Sequence, residues 1–283
     1  MKNGIIFCCF CLIVICIWGC EGPTGPVGPA GKTDFSVFGM VEFISDTLPT
    51  RTNLIVSNIA AIPSVKLNQD FIKFRNFHND GSYYWDTLRT ITQGDEVQLT
   101  VSGDQGTAGT VVRIPQQFRI QSPDPDSIFI LLPHNNFIAS WAVSNFADYY
   151  NAYFYLSYRY FPIGGVTSKY FQLEVDTMLT NTSISIPAAK LFPADIDSII
   201  GGYGGFHIEA VNGPRLEVGA KGNVTGDGIG FFFGKSDGGF IDIRTQNSAA
   251  ENSGTKPKHN FSEKQFDRFY KKFLQWQKMN YQV

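Results

Sequence analysis

Cysteine is confined to the first twenty residues: Cys8, Cys9, Cys11, Cys16 and Cys20 are the five in the chain, and none follows. That absence excludes a disulfide-stapled scaffold and leaves the body to rest on hydrophobic cores. Histidine is scarce as well. His78, His134, His207 and His259 each stand without a second histidine or a cysteine at metal-ligand spacing, so no zinc or copper site is expected. Charged residues make up 17% of the chain, below the usual quarter, and the formal net charge is -2. With no basic stripe interleaved with aromatics, nucleic acid is excluded as a partner. Serine is plentiful, but no Gly-x-Ser-x-Gly elbow, Gly-Lys-Ser/Thr phosphate loop or dinucleotide fingerprint occurs. Asp124-Pro125-Asp126-Ser127 falls short of a calcium loop and reads as a turn. A carboxylate pair, Asp124 or Asp126 with Asp227 or Asp237, would have to assemble from distant loops. The expectation is a non-enzymatic protein with no cofactor and no metal.

What is present begins with an address. Lys2, an apolar run from Ile5 to Trp18 and Gly19 compose a secretory signal over residues 1–19, shorter than the roughly 20 apolar residues of a membrane span. Ile17-Trp18-Gly19-Cys20 resembles the lipobox of bacterial lipoproteins, although Trp18 is bulkier than the usual occupant. The resemblance implies an acylated Cys20 and hence a lipid-membrane partner in the bacterial cell envelope, at the periplasmic or outer surface of the outer membrane. Each buried acyl CH₂ contributes about 0.8 kcal/mol, so two chains suffice to anchor it. An uncleaved signal anchor is the alternative, and it exports the body equally. Residues 20–33 carry the lipidated cysteine and a strict Gly-X-Y run with proline at X, Gly22-Pro23-Thr24 to Gly28-Pro29-Ala30. This collagen-like stretch reads as a polyproline II spacer reaching about 30 Å. A short triple helix is the other reading, and it requires the bodies to associate.

From residue 34 the chain reads as all-β. Aromatics reach 14% and glycine numbers 28, the pattern of short strands linked by turns. Within 34–115 strand-sized pieces run Phe35–Ile44, Asn53–Ile59, Ser64–Leu67, Phe71–Phe77, Tyr83–Thr90, Glu96–Val101 and Thr110–Ile114. Asn79-Asp80-Gly81 marks a hairpin between two of them. The spacing suggests an immunoglobulin-like sandwich, a small barrel having the same signature. Trp85 is expected to be a core anchor.

Residues 116–245 form a second unit. Phe118-Arg119-Ile120-Gln121-Ser122-Pro123, Ile138-Ala139-Ser140-Trp141, Tyr149 to Tyr155 and Phe206-His207-Ile208-Glu209-Ala210-Val211-Asn212-Gly213 resemble strands of a fibronectin type III domain. The resemblance implies a core Trp141 and an aromatic of the third strand at Tyr150 or Tyr153, while Phe206 removes the tyrosine-corner hydrogen bond. Ala188–Phe192 and Asp195–Asp197 suit short helical turns, Gly201-Gly202-Tyr203-Gly204-Gly205 reads as a glycine-rich loop, and Gly228–Phe233 and Gly239–Ile243 read as the last strands. The fold class is therefore two tandem immunoglobulin-like β-sandwiches followed by a C-terminal amphipathic helix.

Residues 246–260 read as a linker and 261–281 as a basic amphipathic helix. Ser262 as N-cap, Gln265 completing a capping box and Phe261 stapled to Phe266 mark its start. Phe266, Phe269, Tyr270, Phe273 and Leu274 share one face. Lys264, Arg268, Lys271, Lys272 and Lys278 make the opposite face a candidate surface for a membrane or partner, while packing of the aromatic stripe onto the sandwich is the plainer reading. Five Asp-Ser/Thr-apolar triplets, beginning at Asp46, Asp86, Asp126, Asp176 and Asp197, look like O-glycosylation sites of the Bacteroidetes group, and equally like turn entries. The expected function is that of an envelope-anchored lipoprotein presenting its sandwiches for adhesion or assembly with a protein or glycan partner. Carbohydrate binding, suggested by the tyrosines of 149–160, is the alternative.

Overall fold

A computed structural model describes residues 35–78, 81–88, 91–217, 219–245 and 261–280. The signal segment, Cys20, the Gly-X-Y run and the 246–260 linker lie outside the described residues. The strands are, in order, β1 (Phe35–Phe43), β2 (Thr50–Ser57), β3 (Ser64–Leu67), β4 (Asp70–Phe71), β5 (Phe74–His78), β6 (Gly81–Leu88), β7 (Glu96–Gly103), β8 (Gly106–Arg113) and β9 (Ile120–Ser122). There follow β10 (Phe129–Leu131), β11 (Phe137–Trp141), β12 (Tyr149–Pro162), β13 (Lys169–Leu179), β14 (Ser183–Ile186), helix α1 (Ala188–Leu191), β15 (Ile196–Asn212), β16 (Thr225–Gly226), β17 (Gly228–Thr245) and helix α2 (Phe261–Asn280). The all-β class with a C-terminal amphipathic helix is the one the sequence leads to.

One long sheet, β13-β12-β15-β17-β1-β2-β6-β5, runs through both halves of the body. β1 is buried at all nine positions because it is covered on both faces: Phe35, Val37, Val41 and Phe43 point to one core, Phe38 and Met40 to another. A near-continuous apolar run is what such a strand requires. It pairs in parallel with β17, from Phe35 opposite Gly228 to Phe43 opposite Ser236. The two last strands expected from the sequence are a single one, β17, whose first half lies beside β1 and whose later residues pair with β15 from Asn212–Gly234 to Tyr203–Arg244. The glycines at 234, 238 and 239 do not end this strand. Gly234 and Gly238 let Arg113 and Phe118 approach, and the register with β15 slips between His207 and Glu209.

Two smaller sheets cover one face of the long one. The β16-β8-β7-β3-β4 sheet closes a core around Phe35, Leu54, Val97, Leu99 and Phe232, and β14-β11-β9 closes another around Phe137, Trp141, Phe154 and Phe206. These are the two sandwiches, and they share their back sheet. Trp141 is buried against Tyr150, as the resemblance implies, and the Tyr150 hydroxyl accepts the Ser144 amide at 2.9 Å. Trp85 is not a core anchor. Alternation along β6 turns Tyr84 inward, 1% exposed and donating to the Pro63 carbonyl, while Trp85 lies half-buried under the Arg75 guanidinium, 4.9 Å from its ring centre. Ala188–Leu191 does form a turn of helix, but Ile196 opens β15 instead of a second one.

Helix α2 lies on the opposite face. Phe266, Phe269, Tyr270, Phe273 and Trp276 are buried on Phe38, Phe231 and Phe233, with Phe273 stacked on Phe38 at 4.9 Å. Such a buried side chain contributes about 1.5–3 kcal/mol, which holds the helix in place without high intrinsic helicity.

Candidate functional site

Strand β12 sorts its tyrosines by alternation. Tyr150, Tyr158 and Tyr160 enter the core, whereas Tyr153, Tyr155 and Ser157 point to the face that carries α2. Beyond the helix no described residue covers this face, and register places its side chains in three rows across four strands. Asp176, Tyr153, His207 and Phe240 form the first, against the flank of α2. Glu174, Tyr155, Gly205 and Asp242 form the second, and Gln172, Ser157, Tyr203 and Arg244 the third. Tyr153 and Tyr155 lie 6.1 Å apart with rings inclined by 24°, and Tyr203 meets Tyr155 edge-on at 6.3 Å. Tyr203 is 49% exposed and Tyr170, one row further out, is 64% exposed.

The glycine-rich segment expected to be a loop is the floor of this face. Gly201-Gly202-Tyr203-Gly204-Gly205 sits inside β15 because neighbouring strands supply the missing side chains. A Cβ at Gly202 would collide with Tyr158 and the Ser157 carbonyl on the core side, and one at Gly205 would run into the Phe240 and Tyr155 rings on the open side. Four glycines thus flatten the strand, and Tyr203 stands up from it.

Burial pushes the Tyr155 phenol up to about 12, helped by Asp242 and the neighbouring tyrosines, and burial likewise raises Tyr153. Both remain hydroxyl donors throughout the neutral range. The charges around them are paired. Arg268 of α2 donates to the Tyr153 hydroxyl at 2.8 Å, stacks 4.0 Å over its ring and reaches Glu174 at 3.2 Å. Lys272 meets Asp176 at 3.0 Å, and Arg244 meets Asp242 at 3.4 Å.

Of the cationic residues singled out on α2, Arg268 and Lys272 therefore turn to β13, and Lys271 and Lys278 are exposed. The Lys264 side chain and Cys20 lie outside the described residues. The sequence reading missed the partners of this helix, Glu174 and Asp176, which alternate on β13 with partly buried Phe171, Leu173 and Val175.

A second polar group is sealed beneath α2. Lys235 and Glu209 are an ion pair at 2.6 Å, each 1% exposed, with Phe269 5.2 Å over the ammonium. Glu42, in register with Lys235, is pushed by burial up to about 7, Lys235 pulling it down and Glu209 and Asp237 pushing it further up. Burial opposes charge on both His207 and Asp237, but their 3.1 Å contact outweighs it, so the imidazole is held above and the carboxyl below its ordinary value. Asp237 is thereby committed to His207, and Asp227 to the Thr107 amide at 3.0 Å, while Asp124 caps its own turn through the Asp126 amide at 3.1 Å. Among the described residues no cluster of three or more acidic, histidine or cysteine side chains forms a metal site.

Neither a protein-family model nor a curated protein matches the chain. Among solved structures it is similar to the IG1+IG2 crystal structure of DIP-gamma. That match has 8% identity, covers 62% of this chain and 90% of that one, and has a TM-score of 0.21.

Two other surface features are weaker candidates. A recess of about 550 Å³ on the outer face of β7 and β8, lined by Thr100, Thr107, Gly109, Asn223 and Thr225, holds no aromatic or titratable side chain. The hydroxyl residues of the five Asp-Ser/Thr triplets are exposed at Thr47, Thr87, Ser127 and Ser198 and half-buried at Thr177, and Thr87, Thr177 and Ser198 lie within strands instead of at turns.

Proposed function

We propose that this chain is a non-enzymatic, envelope-anchored lipoprotein. It is held on a membrane through an acylated Cys20 and presents its sandwiches for adhesion or for assembly with another surface component. The observation that carries the recognition part is the asymmetry of the long sheet: α2 seals one stretch of its back face, and no other described residue covers the adjoining stretch, on which Tyr155, Tyr203 and Tyr170 stand. Tyrosines supply large, rigid contact area at low entropic cost, which suits a binding surface. The anchoring part rests on Ile17-Trp18-Gly19-Cys20 and the Gly-X-Y run behind it. Lys271 and Lys278 make the outer side of α2 a secondary contact for an anionic membrane or a partner.

The test compares cells expressing the native chain, Cys20→Ser, and Tyr155→Ala/Tyr203→Ala. The native chain takes up a palmitate label and sediments with membranes. Cys20→Ser does neither, and the tyrosine variant stays anchored but loses adhesion to its target surface or its co-purifying component. Equal labelling and sedimentation of native chain and Cys20→Ser would remove the anchor. Unchanged adhesion and partners in the tyrosine variant would remove the recognition face.

A further inference from the structure

We infer that the open tyrosine face binds a neutral oligosaccharide, with one sugar ring stacked on Tyr203 or Tyr155 and its hydroxyls held by the polar groups between them. The inference rests on the reading of this face as a recognition surface and names its ligand class.

Three observations select that class. The first is electrostatic. Within the three rows Glu174, Asp176, Asp242, Arg244 and the buried His207 all have opposite charges within 3.0–3.4 Å, and the exposed Arg159 of the next row donates to Ser168 at 3.1 Å, so the rows themselves carry little net field to attract an anionic or cationic polymer. A neutral ligand is complementary to it. The second is the kind of apolar surface offered. Within the three rows every apolar side chain is a ring, Tyr153, Tyr155, Tyr203 and Phe240, and the exposed aliphatics Ile200 of β15 and Ile130 of β10, in register with Arg244, stand at the margins. The core of a protein interface is more apolar than this. A pyranose instead presents a face of C–H groups, which lie against an aromatic ring, and a rim of hydroxyls. The third is the set of groups placed for that rim. The Tyr155 phenol stays protonated and donates, Asp242 and Gln172 accept, and Arg244 donates from a planar fork, all within one register step of an exposed ring.

Tyr155 and Tyr203 are inclined at 68°, so they do not form one flat platform and only one sugar stacks fully at a time.

The experiment is calorimetric titration of the full-length chain, purified in a detergent without a sugar headgroup, with cellohexaose, chitohexaose and maltohexaose. At least one hexasaccharide binds with unit stoichiometry. Tyr203→Ala weakens it at least tenfold, whereas Tyr203→Phe and Phe77→Ala, which removes an exposed ring on the far edge of the sheet, bind as the native chain does. Circular dichroism confirms that each variant is folded. No binding of any of the three sugars to the native chain, or native-strength binding by folded Tyr203→Ala, overturns the inference. If the sugars fail while the tyrosine variant still loses adhesion or its protein component, the ligand class is wrong and the recognition face stands. If the sugars bind but adhesion is untouched, the recognition role in cells falls instead.

Discussion

The Lys235 ammonium lies 2.6 Å from Glu209 Oε2, diagonally across the β15–β17 pair, with both side chains 1% exposed. Removing one member of such a pair strands the other in low dielectric, which typically costs about 3–5 kcal/mol. Lys235→Met is expected to lose that much in urea unfolding, since it abandons Glu209 and brings Glu42 and Glu209 into unrelieved repulsion. Lys235→Met combined with Glu209→Gln and Glu42→Gln should regain most of the loss.

Glu42 gives the pH dependence a sign. Its folded value of about 7 lies above its ordinary 4.5, so the folded state binds the proton more tightly. The associated stability is fully present below about pH 4.5 and is lost as pH rises through 7, up to roughly 3 kcal/mol for a shift of this size. His207, also raised, adds a slope of the same sign. Glu42→Gln is expected to flatten the profile between pH 5 and 8 and to be the more stable protein at pH 8. A steeper profile in that variant would contradict the burial argument.

Two glycines separate crowding from backbone conformation. Gly202→Ala inserts a methyl against the Tyr158 side chain and the Ser157 carbonyl, and should destabilise by about 1–3 kcal/mol or more. Gly219 has φ +78° with nothing within 4 Å, so Gly219→Ala carries only the conformational cost of about 1–2 kcal/mol. Thermal unfolding of the pair reads out the difference.

Substitutions along α2 should divide by what each side chain touches. Phe273→Ala empties the contact with Phe38 and Phe231 and is expected to cost about 3–5 kcal/mol. Arg268→Ala loses a partly exposed ion pair and a stacked tyrosine, about 1 kcal/mol. Lys271→Ala and Lys278→Ala, both exposed, should fall within about 0.5 kcal/mol of the native chain. Denaturant midpoints at constant slope provide the measurement.

Sequence alternation conveyed the class of the fold, its strands and the helix, because burial on one face writes itself into residue period. It did not convey which strand lies beside which. The β1–β17 pairing joins Phe35 to Gly228, and no local signal marks a parallel partner at that separation. The same limit hid the candidate site. Gly201–Gly205 has loop composition because the rings that fill its gaps, Tyr155, Tyr158 and Phe240, belong to other strands or to a distant part of the chain. Tyr153, by contrast, was within reach of the sequence as one of two candidates for the aromatic of the third strand. The alternation that buries Tyr150 is what puts Tyr153 outside.

β1 begins at Phe35 and is an interior strand of the long sheet. A pull at Phe35 therefore acts along the strand axis, against nine residue pairs with β17 and seven with β2 at once. Pairs loaded in parallel must shear together, whereas an edge strand would peel one pair at a time. Resistance to tension, which is governed by the unfolding rate and not by equilibrium stability, is thus concentrated in β1 and its two neighbours.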